Sequence, residues 1–288
     1  MAMGTVLLLG GSGVLGRAWR QLLDGRGIEY AAPQRHEFDL TNPRSMDQIF
    51  DRQVRVVINC AAWTNVDAAQ KYREAADQLN AHAPGELAQR CAGTDALLVH
   101  YSTDYVFNGR AAIPYPVDTP VDPINFYGQT KADGEQRIVN TGCRHMIIRT
   151  SGLYAAWGHN FVRTMVRLIH ERSQVKVVDD QRCRLTSARQ LASASLELIE
   201  RKANDTSIIW HVCGGGHCSW YEVACFIAGH LNVDCQVASC RTEEYPTSAE
   251  RPRYSVLDLR ATEQVIGPMA PWERELATVM KAIGRDTE

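Results

Sequence analysis

The chain has 288 residues, of which 45% are hydrophobic and 22% charged, with a formal net charge of −2. That length suits one large domain or two modest ones, and the composition is ordinary for a soluble globular protein. The near-neutral balance excludes a general basic field, so neither nucleic acid nor an anionic membrane is expected as a partner.

The N-terminal stretch MAMGTVLLLGGSGVLG lacks a basic leader, and glycines interrupt its apolar run. It reads as neither a signal peptide nor a membrane span, and a cytoplasmic location is expected. Nine cysteines are scattered between Cys60 and Cys240 without a C-x-x-C pair, which fits buried thiols in a reducing compartment. Cys213, His217 and Cys218 cluster, but no second ligand pair follows at finger spacing, so no metal is assigned.

In chain order, residues 5–10 are a short apolar run stopped by glycine and predict a buried parallel strand. Residues 14–27 place Leu15, Trp19, Leu22 and Leu23 on one helical face. A second strand is expected over 28–33, a helix over 44–53, and a third strand over 54–62. Residues 73–93 read as one long helical segment disturbed by Pro84. A strand over 95–102, a helix over 128–140 and a strand over 145–151 follow. Strands alternating with helices predict an α/β fold, a doubly wound parallel sheet of Rossmann type. Beyond 151 the rhythm loosens, with helices expected over 160–171, 187–201 and 219–231 and strands over 174–180 and 207–213. The expected division is a dinucleotide-binding domain over 1–150, completed by strands within 174–213. The remainder, 151–288, would be mainly a smaller substrate-binding domain.

The stretch GGSGVLG sets Gly10, Gly13 and Gly16 three residues apart, after a strand and at the opening of a helix. Glycine permits the tight turn and close approach to a pyrophosphate, and the helix N-terminus offers free N–H groups. Ser12, Val14 and Leu15 complete that candidate cofactor loop. Arg35, near the end of the second strand, is placed to meet a ribose 2′-phosphate, favouring NADPH while leaving NADH possible. Ala61 and Ala62 end the third strand with small side chains that let a cofactor lie close, and Thr64 follows them.

In NFYGQTK, Tyr127 and Lys131 stand one helical turn apart and share a face. In YSTDYVFNG, Ser102 ends a strand and Thr103 follows at its carboxyl edge, where ligands bind in open α/β sheets. Thr103, Tyr127 and Lys131 together resemble the Ser/Thr–Tyr–Lys set of the short-chain dehydrogenase/reductase superfamily. The glycine spacing is similar to that of its extended branch. The resemblance implies that Tyr127 gives its proton to a carbonyl oxygen as hydride arrives at carbon. Lys131 would lower the phenol's ordinary pKa of about 10 and hold the nicotinamide ribose, and Thr103 would hydrogen-bond the developing alkoxide. It also implies cofactor contacts for Ser102, Tyr127 and Lys131, and sets Asp39, with Leu40 beside it, against adenine.

The stretches HYSTDYVFNG, NFYGQTKADGE, GHNFVRTM, VVDDQ and ERPRYSVLDL run in the order found in the dTDP-4-dehydrorhamnose reductase family. The resemblance covers nearly the whole chain. It implies NADPH-dependent reduction of the 4-keto group of dTDP-6-deoxy-L-lyxo-hexos-4-ulose to dTDP-L-rhamnose, with Thr103, Asp104, Tyr105, Gly152 and Asn160 facing a nucleotide sugar. A homodimer is left open. Related 4,6-dehydratases carry an Asp-Glu pair after the threonine, whereas Tyr105 follows Asp104 here. Two stretches depart from the family. RTSGLY has Gly152 where a sugar-packing tryptophan is usual, and DQRCRLT has Cys183 and Leu185 where glycine and proline are usual. Gly152 is expected to widen the sugar pocket, unless a neighbour such as Trp157 fills it. Two other readings remain: the same chemistry on another 4-ketosugar nucleotide, and a non-catalytic NADP-binding subunit resembling the methionine adenosyltransferase β subunit.

Overall fold

The computed structural model describes residues 5–42, 44–46, 54–202, 207–231 and 233–285. Five strands alternate with helices in the first half: β1 (Thr5–Leu9), β2 (Tyr30–Ala31), β3 (Val54–Asn59), β4 (Leu97–Thr103) and β5 (His145–Thr150). The second half adds β6 (Leu153–Tyr154), β7 (Gln174–Val178), β8 (Arg182–Cys183), β9 (Thr186–Ser187), β10 (Ile208–His211), β11 (Cys218–Ser219) and β12 (Gln236–Cys240). Six strands form one parallel sheet in the order β10-β5-β4-β3-β1-β2. Strands β4 and β5 are buried along their whole length, as a parallel sheet covered on both faces requires. Strand β2 is shorter than the expected 28–33, because it is a half-exposed edge with one neighbour. Of the helix expected over 44–53, residues 44–46 are helical and 47–53 lie outside the described residues.

The strand order reverses at β1, with β2 on one side and β3 on the other. The carboxyl ends of β1 and β3 therefore open a crevice at the sheet edge, the position at which open α/β sheets take their ligands. Helix α1 (Val14–Arg26) starts at that crevice and ends at Gly27, whose φ of 63° lets its N–H turn back to Asp24 O at 3.1 Å. Apolar clusters cover both faces of the sheet, one around Trp19, Ile58, Val99 and Ile148, the other around Leu7, Leu87, Leu98 and Ile147.

The segment 73–94 is helical but broken where Pro84 disturbs it. Arg73–Asp77 and Ala83–Thr94 flank a π turn over Gln78–His82. Proline has no N–H to give to the carbonyl four residues back, and a π turn absorbs the mismatch. The freed Asn80 carbonyl lies against the helix Phe126–Asn140, where a Cβ on Gly134 would sit 2.2 Å from it. Asn80 Nδ2 also donates to Thr130 Oγ1 at 3.1 Å. This backbone-close packing fixes the rotation of the helix that carries Tyr127 and Lys131.

Strand β10 adds to β5 with Trp210 opposite Ile148, so the sheet is finished by residues far along the chain. A separate apolar cluster joins Tyr154, Met165, Val177, Ile227 and Leu276 around the parallel pair β7–β12 and the helices Phe161–Glu171, Trp220–Leu231 and Trp272–Arg285. The two regions are strapped together. Asp67 accepts from both Arg251 Nη1 (2.8 Å) and Nη2 (2.6 Å), and from Ala249 N–H (2.9 Å).

Candidate active site

The glycine loop is shaped by contacts that no side chain would permit. Gly10 has φ +72°, and a Cβ there would lie 2.6 Å from Ala61 N; a Cβ on Gly16 would lie 2.1 Å from Gly10 O. Gly13 caps α1 without a side-chain hydrogen bond, so the first N–H groups of the helix remain free to face an anion. The loop, Ala61 and Ala62 border a cavity of about 450 Å³. Arg35, Asp39 and Leu40 line its far end, joined by Arg20 from α1. The donor-rich loop, the small residues and the arginines fit a dinucleotide phosphate.

Several expected cofactor residues are committed elsewhere. Leu15 is buried in the sheet core, so only its backbone is available to a ligand. The Asp39 carboxylate accepts from Thr41 N–H (2.9 Å) and Thr41 Oγ1–H (2.7 Å), and these bonds hold it below the usual carboxylate range. Thr64 is exposed beside the cavity but does not line it. Arg20 was not anticipated, because on the sequence it is one more polar residue of an amphipathic helix.

At the end of β4, Asp104 gathers three hydroxyls. Thr103 Oγ1 donates to its Oδ1 (3.0 Å), while Ser151 Oγ (2.8 Å) and Ser255 Oγ donate to its Oδ2. Burial pushes the Asp104 carboxyl up to about 6, and the hydroxyls oppose that rise. Thr103 also accepts from Tyr105 N–H at 3.2 Å. Its single proton is thus spent on Asp104, and it must turn to serve a substrate oxygen. Asn125 caps the next helix by accepting from Gly128 N–H (2.8 Å), which sets Tyr127 one residue inside the first turn. Tyr127 is half-buried, with its phenol toward Thr103. Burial pushes it up to about 12, with the Thr103 hydroxyl acting in the opposite sense. Tyr105 meets the Tyr127 ring edge-on at 6.0 Å. The buried Ser102 hydroxyl has no partner among the described residues.

Lys131 makes its hydrogen bonds away from Tyr127. Its Nζ is buried, donates to Tyr101 O at 2.6 Å and lies 3.1 Å from His100 Nε2. Burial pushes its amine down to about 8, while Glu135 opposes that fall. Glu135 is itself held by Arg149, whose Nε and Nη2 both reach it. The phenol is thus pushed up by burial, and the expected lowering by Lys131 has no hydrogen bond behind it here. His100 and Asn59, which hold the lysine where it is, were missed. The only sequence signal was a polar residue within each of two buried strands.

The two departures in the second half form one feature. Gly152 has φ +55°, and a Cβ there would lie 2.6 Å from Arg184 O. Gly152 O accepts from Thr186 N–H at 3.1 Å, and β6 pairs with β9. The expected widening at Gly152 is thus corrected: the backbone of Arg184–Leu185 already occupies that space. Trp157 does not fill it either, since its Nε1 donates to Val14 O at 3.0 Å, beside the glycine loop. Arg184 is anchored by Leu257 O (2.6 Å) and Gly216 O (2.7 Å). Asn160 was expected at the substrate, but its amide is fully used. Nδ2 donates to Ala155 O (3.0 Å) and Trp157 O (3.1 Å), and Oδ1 caps the following helix through Arg163 N–H. Among the described residues, no group of three or more His, Cys, Asp or Glu side chains is placed to hold a metal ion. No helix among them is long and apolar enough to cross a membrane.

Sheet order, glycine loop and edge residues define a Rossmann-type oxidoreductase scaffold. The chain belongs to the RmlD substrate binding domain family, which it matches over residues 3–285. It is 37% identical over 263 residues to a Bacillus subtilis spore coat polysaccharide biosynthesis protein, SpsK, covering 91% of this chain and 92% of that one. It is 34% identical to a dTDP-4-keto-6-deoxy-D-glucose reductase of Streptomyces niveus, covering 97% and 98%. A dTDP-4-dehydrorhamnose reductase of Bacillus anthracis, solved with NADP, superposes with a TM-score of 0.91 at 33% identity, covering 97% and 99%.

Proposed function

We propose that this chain is an NADPH-dependent reductase of the 4-keto group of a dTDP-linked deoxysugar, with Thr103, Tyr127 and Lys131 as its chemical residues. The observation that carries the reading is the Thr103–Tyr127 pair at the end of β4, beside a glycine loop whose contacts exclude side chains. The cofactor, when bound, supplies hydride. The protein's own task is the proton and the geometry. The Tyr127 phenol donates to the carbonyl oxygen as that oxygen gains charge. Burial makes the phenol hold its proton tightly, and a nearby cation would loosen it. Lys131, one turn along the same helix, is the cation within reach. Asp104 anchors the Thr103 hydroxyl, and a turn of that hydroxyl offers a donor to the alkoxide.

The finer reading is dTDP-4-dehydro-L-rhamnose as substrate and residues 151–288 as the main substrate-covering region. It draws on the motif order and on the apolar cluster that stands apart from the sheet. All nine cysteines are free thiols, which supports a cytoplasmic setting. A screen of dTDP- and UDP-4-ketosugars with NADPH and NADH, followed by nicotinamide absorbance, tests it. Turnover of a dTDP-4-ketosugar with NADPH is expected. Tight NADPH binding without reduction of any 4-ketosugar would overturn it.

A further inference from the structure

The resting place of Lys131 poses a donor-counting problem. Ala61 N–H can only donate, and it points at the Asn59 amide oxygen at 3.1 Å. That fixes the amide, so Asn59 Nδ2 faces His100 Nδ1, also at 3.1 Å. An amide NH₂ has only hydrogens to offer, so Nδ1 must accept, and a neutral imidazole then carries its hydrogen on Nε2. Nε2 lies 3.1 Å from Lys131 Nζ. An ammonium has three hydrogens and no lone pair. With a charged lysine, two donors would face each other at a site where Asn59, His100 and Lys131 are all at most 1% exposed. With a neutral amine the clash of donors is removed: the lone pair accepts from His100 Nε2–H, and one amine hydrogen goes to Tyr101 O.

We propose that Asn59 and His100 hold Lys131 as an uncharged amine in the cofactor-free enzyme, and that engaging the cofactor ribose is accompanied by uptake of one proton at this lysine. The second half rests on the reading of Lys131 given above. His100 is a positioning residue in this scheme, since it acts through Lys131. The surroundings agree. The titratable groups acting on Lys131 are His100 from β4 and Glu135 from its own helix, and the Glu135 charge is already matched by Arg149 from β5. Burial keeps His100 well below its ordinary range, so it stays neutral.

Two measurements separate the halves. In the cofactor-free protein, nitrogen-15 histidine NMR should show His100 as the Nε2–H tautomer. Finding the hydrogen on Nδ1 would overturn the resting state whatever the protein binds. Calorimetry of NADPH binding in buffers of differing ionisation enthalpy should then show proton uptake that rises toward about one per site between about pH 7.5 and pH 9.5. That window avoids the 2′-phosphate, which titrates near about pH 6. In Asn59→Asp the carboxylate would accept from both Ala61 N–H and His100 Nδ1–H, freeing Nε2 to accept from an ammonium, and the uptake should vanish. Tight binding of NADPH by Tyr127→Phe, in which no phenol can release a compensating proton, with no uptake across that window would overturn the proposal. Absence of NADPH binding would instead sink the cofactor reading, with the tautomer still deciding the resting state.

Discussion

The cofactor end and the chemistry end of the cleft differ in how much of their hydrogen-bonding capacity the protein itself consumes. At the glycine loop, the helix N–H groups are free and the shape is set by backbone contacts. At the end of β4, the Thr103, Asp104 and Lys131 side chains are already partnered within the chain. The first region is a preformed receptor. The second is a set of closed circuits that a ligand must reopen. Changes at the loop should therefore appear in binding, and changes at the strand end in rate and pH dependence.

Tyr127→Phe should give the largest effect. It removes the proton and keeps the ring, so turnover should fall roughly 10²–10⁴-fold while NADPH affinity holds. Equal losses in both would erase the distinction between the two ends. Gly16→Ala should do the reverse. Its Cβ would press on Gly10 O, and such overpacking costs about 1–3 kcal/mol. NADPH should bind some ten- to hundredfold more weakly, as calorimetry can read.

Asp104→Asn sharpens the comparison through pH. In the folded chain the carboxyl titrates at about 6, above its ordinary 3.8, because it is buried. The folded state holds that proton more tightly than the unfolded one, so the contribution is full below about pH 4 and is lost as pH rises through about 6. The loss is on the order of 2–3 kcal/mol. Urea midpoints of the native chain should fall over that interval relative to the asparagine variant. Parallel curves would mean that Asp104 is far less enclosed than the structure indicates. The smallest effect is expected at the far end of the cavity, where Arg35 is exposed and Arg20 half-buried. Either alanine variant should weaken NADPH against NADH by about 1.5 kcal/mol at most, given charge-assisted bonds partly open to solvent. An equal loss for both cofactors would remove the 2′-phosphate from that corner.

The fold was readable because buried parallel strands leave continuous apolar runs and Gly10, Gly13 and Gly16 punctuate the first turn. Pro84 likewise announced a break, although not that the break would be a π turn pressed on Gly134. The juxtaposition of Thr103 with Tyr127 was readable from a strand end and a helix start. What stayed hidden was non-local. Nothing along the chain says that Gly152 backs onto Arg184 O, that Asn160 is spent on its own loop, or that His100 reaches Lys131. Each depends on a contact between elements whose packing distance no spacing encodes. Periodicity reports which face is buried, and it is silent on which polar atom there will find a partner.

Strand β10 carries a consequence for how the chain is made. Until Ile208–His211 leave the ribosome, β5 has a bare edge, with a row of backbone N–H and C=O groups unmatched. Everything from β6 to the helix Ala188–Lys202 must be synthesised meanwhile. Such an edge invites pairing with another nascent chain. A fragment ending near residue 150 would keep that liability permanently, despite containing the whole glycine loop and the Thr103, Tyr127 and Lys131 side chains. Aggregation of that fragment, and its relief by adding a chain that extends past His211, would place the last step of assembly at the far edge of the sheet.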